Sequence, residues 1–120
     1  MTMQIRLDDT KCRPGQLMNA SVVWDLGATT SDLMLEVTWQ TAGKGTDDSE
    51  TIFSESWTPD SPSGEKSFQI QLPRGPISVQ GGLISIQWQI QFTRKRTKET
   101  NTVPFVLSHL EGPVQLVSLP

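Results

Sequence analysis

The stretch Ile84-Ser85-Ile86-Gln87-Trp88-Gln89-Ile90-Gln91-Phe92 decides the fold. Every second residue is large and apolar, and every residue between is uncharged and polar. Successive side chains on a strand point to opposite faces, so this rhythm predicts a strand with one buried face and one wet one.

The same period of two runs outward in both directions. Met3, Ile5 and Leu7 predict a first strand. Met18, Ala20, Val22, Trp24 and Leu26 predict a second, interrupted on its polar side by Val23, and Leu33, Leu35, Val37 and Trp39 a third. A weaker fourth spans about Thr51 to Trp57. Phe68, Ile70 and Leu72 mark a fifth, and the quoted stretch is the sixth. Val103, Phe105 and Leu107 predict a seventh, and Val114, Leu116 and Ser118 an eighth.

Turn chemistry separates these runs: Cys12-Arg13-Pro14-Gly15, Gly27 to Ser31, the polar Thr41 to Ser49, Pro59 to Gly64, and the longer connection Pro73 to Gly82. No window carries helical spacing with caps. Seven or eight strands, each apolar on one face, hide those faces by stacking as two sheets about 10 Å apart. The expectation is an all-β, antiparallel, immunoglobulin-like β-sandwich. Pro104 has no N–H to give a ladder, which places the seventh strand at a sheet edge or a bulge.

With 120 residues and no internal boundary, the chain reads as one domain over 1–120. A chain of this size hides roughly two thirds of its unfolded surface and needs no staple. Cys12 is the only cysteine, so no internal disulfide forms, which suits a reducing compartment. The start of the chain lacks a secretion signal and no apolar run approaches the ~20 residues of a membrane span, so a cytoplasmic location is expected. Asn19-Ala20-Ser21 is then an accidental glycosylation sequon. A net charge of −3 gives no footprint for nucleic acid. The basic run Arg94, Lys95, Arg96 and Lys98 reads as a solvated loop between two strands.

Catalytic chemistry is not legible, and no cofactor is implied. His109 is the only histidine, so it has no second imidazole to share a metal. Cys12, beside a Pro-Gly turn, reads as a partly buried thiol with no general base. Gly43-Lys44-Gly45-Thr46 lacks the spacing of a phosphate loop. A carboxylate pair such as Glu55 with Asp60 has nothing to place it in a cleft. The acids Asp47, Asp48 and Glu50, with Asp8, Asp9, Asp25, Asp32 and Asp60 near strand ends, read as solvated loop residues. Their alternative is a calcium-dependent phospholipid-binding sandwich, in which Asp47 and Asp48 ligate the ion and the Arg94 to Lys98 run meets anionic headgroups.

Two segments together resemble the amino-terminal lobe of arrestin-like proteins. Arg13-Pro14-Gly15-Gln16-Leu17-Met18-Asn19-Ala20-Ser21-Val22 is similar to that family's Pro-Gly turn, apolar residue and entering strand. Phe68-Gln69-Ile70-Gln71-Leu72-Pro73, then Gly75-Pro76-Ile77-Ser78 and Gly81-Gly82 before the long strand, resembles its strand end, Pro-Ser crossover and aromatic-centred strand. Val103-Pro104-Phe105-Val106-Leu107 suits the strand that follows. The resemblance implies a sandwich that docks protein cargo or receptors without catalysis. Family members carry two such lobes, whereas this chain has length for one, and Met3 to Leu7 lacks the paired lysines that contact phosphate. Receptor and phosphate recognition are therefore not carried over.

The function expected is a protein-interaction or scaffolding module whose partner the sequence does not name. Its candidate surface is the outward stripe Ser85, Gln87, Gln89 and Gln91, since charged residues are depleted at interface cores. Self-association into a homo-oligomer is a variant of this reading, suggested by the single lobe and the edge near Pro104.

Overall fold

The structure is a computed structural model that describes residues 2–27, 31–43, 48–80, 84–108 and 114–115. Its strands are β1 (Thr2–Leu7), β2 (Lys11–Cys12), β3 (Leu17–Asp25), β4 (Leu33–Gly43), β5 (Ser49–Trp57), β6 (Ser63–Gln71), β7 (Val79–Gln80), β8 (Ile84–Arg94), β9 (Glu99–Leu107) and β10 (Val114–Gln115). They form a three-stranded sheet, β1-β3-β6, facing a larger sheet in which β8 pairs with β4 on one flank and with β7 and β9 on the other. The outer strand β5 pairs with β4.

The alternation assigns the inner faces as expected. Met18, Ala20, Val22 and Trp24 of β3, and Phe68 and Ile70 of β6, are buried against Leu33, Leu35 and Val37 of β4 and Trp88, Ile90 and Phe92 of β8. Met3, Ile5, Leu7, Trp39 and Val103 cover the margins of this core. Leu116, Ser118 and the side chains of Ile84 and Val114 lie outside what is described.

Three local features depart from the pattern read in the sequence. Ser63 and Gly64, expected in a loop, open β6 and pair with Asp25 and Trp24. Trp24 explains the glycine: a Cβ at Gly64 would lie 2.9 Å from Trp24 Cζ2. Arg94, expected in a solvated turn, ends β8 opposite Leu33 with only 4% of its surface exposed. The solvated cations are Lys95, Arg96 and Lys98 of the turn, where Lys98 takes a positive φ of 61° and its N–H donates to Arg94 O at 2.8 Å. Finally, β2 pairs parallel with β9, and β10 parallel with β7, with no helix among the described residues between them. Both pairs are two residues long, joining segments that reach the sheet from other parts of the sandwich.

Pro104 lies opposite Gln89, and among the described strands the side of β9 away from β8 pairs with β2 alone, at Val106 and Leu107. It is an edge strand at Pro104, as proline requires. The crossover from β6 is pinned where it meets this end of the sheet. Trp88 Nε1 donates to Pro76 O at 2.6 Å, and Ser78 exchanges bonds with Leu107 through its N–H (2.7 Å to Leu107 O) and its Oγ (2.9 Å from Leu107 N).

Cys12, in β2, is buried to 2% exposure, and burial pushes its thiol up to about 11, with the carboxylates of Asp9 and Asp8 adding to the shift. A thiol whose pKa is higher folded than unfolded favours the folded state below the unfolded value and loses that contribution as pH rises through the folded one. Denaturation midpoints should therefore fall between about pH 9 and pH 11, a drop that Cys12→Ala removes. Gly64→Ala should cost about 1–3 kcal/mol in urea unfolding by driving the Trp24 ring out of place.

Candidate functional site

The predicted stripe lies at the centre of the large sheet's outer face. Inner-face packing fixes it there: with Trp88, Ile90 and Phe92 buried, Gln87, Gln89 and Gln91 must point outward. Gln87 is exposed, whereas Ser85, Gln89 and Gln91 are half-buried by their neighbours.

Those neighbours extend the stripe into a face that the sequence alone did not assemble. Cross-strand pairing sets Gln40 beside Gln87, Thr38 beside Gln89, Glu36 beside Gln91 and Met34 beside Thr93. On the other flank, Pro104, Thr102 and Thr100 lie beside Gln89, Gln91 and Thr93. Beyond β4, Ser49, Thr51, Ser54 and Ser56 continue the same surface along β5. Among these described side chains Glu36 alone is charged. The signal was present as polar, uncharged residues alternating in four separate strands, but only the register shows that they share one face.

A cleft of about 270 Å³ opens on this face where β7 and β9 diverge along the flank of β8. Ser85, Gln87 and Gln89 border it, with Ile86, Pro104 and Val106 supplying apolar wall. Gln91 is not part of it. The arrangement offers amide donors and acceptors beside an apolar notch, the chemistry of a contact surface.

A second depression, about 610 Å³, lies on the outer face of the small sheet. Arg6, Ser21 and Ser67 form one cross-strand row there, flanked by Asp8, Asn19 and Gln69. Asn19 Nδ2 donates to Asp8 Oδ2 at 3.2 Å.

Among the described residues the loop acids do not gather at one site. Asp25, Asp32 and Asp60 lie near the end of the sandwich that holds the Lys95–Lys98 turn, where Asp32 O accepts from Lys95 N and Asp32 Oδ1 from Thr58 Oγ1. Asp8 and Asp9 follow β1 at the other end. Asp48 and Glu50 are exposed at the start of β5, while Asp47 and His109 lie outside the described residues. Among the described residues no group of three or more His, Cys, Asp or Glu is placed to hold a metal. Nor is any helix among them long and apolar enough to cross a membrane.

Neither a family model nor a curated protein matches the chain. Among solved structures, Spo0M, a sporulation control protein from Bacillus subtilis, is similar over 90% of this chain and 49% of its own, at a TM-score of 0.62 and 17% identity. A β-glucosidase from Listeria innocua, in complex with gluconolactone, is similar over 94% of this chain but 16% of its own, at a TM-score of 0.51 and 11% identity. The chain thus spans about half the length of Spo0M and a small part of the glucosidase. At these identities the likeness concerns the fold alone, and that fold is an all-β sandwich.

Proposed function

We propose that this chain is a non-catalytic protein-interaction module of the arrestin-like kind, acting as one sandwich unit in a reducing, cytoplasmic setting. The observation that carries the reading is the outer face of the large sheet, where, among the described residues of β4, β5, β8 and β9, Gln, Thr and Ser side chains surround the one charge of Glu36, and Lys11 of β2 lies at the flank beside Val106. A solvated sheet face is ordinarily studded with lysine and glutamate, and interface cores are the surfaces that lack them. The cleft beside Gln87 and Gln89 adds a place for one apolar side chain of a partner, and a buried central anchor is where binding energy concentrates. The fold likeness to Spo0M agrees with a regulatory contact of this sort, and a lone cysteine, which can form no internal disulfide, agrees with a reducing environment.

Charge placed on this face should abolish docking and leave the fold intact. With the full chain used as bait in its native host, Gln87→Lys combined with Gln89→Glu should lose the co-purifying protein while the melting midpoint stays within a few degrees. Ser21→Lys with Ser67→Glu, on the opposite face, should keep it. Equal recovery by all three proteins would sink the reading.

A further inference from the structure

The outer strand β5 runs along the margin of this face and, among the described residues, pairs on one side only, with β4. Its acids, Glu50 and Glu55, are five residues apart, and plain alternation would send them to opposite faces. A β-bulge prevents that. Phe53 lies opposite Val37 and Thr51 opposite Thr38, so Ile52 is the extra residue and the alternation resets. Glu55 then stands beside Leu35 and Glu50 beside Trp39, both on the inward side of the sheet margin. Both are exposed. Glu55 meets Lys66 at 3.8 Å, but with both side chains more than 40% exposed, such a contact holds Glu55 weakly.

The other margins differ. Asn101 Nδ2 closes over β1 by donating to Met3 O at 2.7 Å, β9 carries Pro104, and β6 carries Glu65 and Lys66 of opposite sign. Among the described strands, β5 combines a nine-residue unpaired margin with two like charges on one side. Like charges facing each other across strands repel, so this margin is set against a second copy of itself and suited to an oppositely charged strand.

Resting on the reading of the large sheet as a protein-docking face, we propose that β5 takes up an extended, basic segment of the partner as an added strand. Leu35 and Trp39 are four residues apart, so the complementary cations sit at i and i+4 of that segment, about 13 Å apart at ~3.3 Å per residue. The segment's main chain pairs with the unused N–H and C=O groups of β5. Its outward side chains continue the Ser and Thr row formed by Ser49, Thr51, Ser54 and Ser56.

The full chain, ¹⁵N-labelled, is titrated with a nine-residue capped peptide bearing Lys at its third and seventh positions on a Ser, Thr and Val background. Amide shifts should saturate and map to residues 49–57. Glu50→Gln with Glu55→Gln should weaken binding about fivefold, the product of two cross-strand charge pairs near 0.5 kcal/mol each. Moving the second Lys to the sixth position should weaken it similarly, and N-methylation of alternate amides should abolish it. Shifts mapping elsewhere, or indifference to Lys spacing or to both glutamines, would overturn the proposal. The double glutamine variant, used as bait, separates the two ideas. If it keeps the partner that the Gln87 and Gln89 substitutions lose, the strand addition fails and the face survives. If neither pair of substitutions releases the partner, both fail.

Discussion

Trp57 ties the two sheets together. It ends β5 at the margin of the large sheet, stacks on Phe92 of that sheet at 5.9 Å and 7°, and meets Trp24 (5.9 Å) and Phe68 (5.5 Å) of the small one. Phe53 extends the layer with an edge contact to Phe68 at 6.1 Å. Aromatic pairs at these separations contribute about 0.5–1.5 kcal/mol beyond the area they bury. The layer also closes the flank of the sandwich where β5 and β6 leave the sheets apart. Lys66 caps it from solvent, its Nζ 5.6 Å from the centroids of both the Trp57 and Phe68 rings. Gly64 belongs to the same constraint, because Trp24 can reach Trp57 only where β6 offers no Cβ beneath its ring.

With the inner faces committed to this contact, the outer faces are free of folding demands. Burial decides that Trp88, Ile90 and Phe92 point inward, and it decides nothing about Gln87, Gln89 or Gln91 except their direction. Any polar residue, including lysine or glutamate, would satisfy the fold there. A face that stays uncharged through β4, β5, β8 and β9, apart from Glu36, is therefore a property that packing does not account for. The crossover held by Ser78 and Pro76 adds a further feature to it, since pinning β7 beside β9 leaves the cleft between them.

The sandwich was legible because period two is a strong signal wherever one face is fully buried, as along Met18 to Trp24 and Leu33 to Val37. It weakens where a residue's role depends on a distant partner. Ser63 and Gly64 read as a loop because their own preferences are those of a turn, and only Trp24 across the register explains them. Arg94 is hard to place from sequence because its charge groups it with Lys95, Arg96 and Lys98, although it stands two residues beyond Phe92 in the β8 rhythm. Of the candidate surface, the stripe on β8 was visible, but its extension was not, since register is a long-range property. The two glutamates of β5 were hidden more deeply. Their shared side follows from one extra residue at Ile52, and no local composition announces a bulge.

The face and the margin differ in the physics by which they can recognise anything. An uncharged sheet face exerts no long-range pull. Its selectivity must come from short hydrogen bonds and shape, and a glutamate arriving there would be desolvated beside Glu36 with no counter-charge on β4, β5, β8 or β9. The β5 margin works the other way. Its main-chain groups would pair with any strand, so the information lies in which charges are tolerated and at what spacing. Placed side by side on one sheet, the first supplies area and the second supplies register and sign. A strand shifted by one residue along β5 would turn its cations to the outer face, among Ser and Thr and away from Glu50 and Glu55. The bulge that brings those two acids to one side is thus what would make the margin a reader of register rather than an indiscriminate edge.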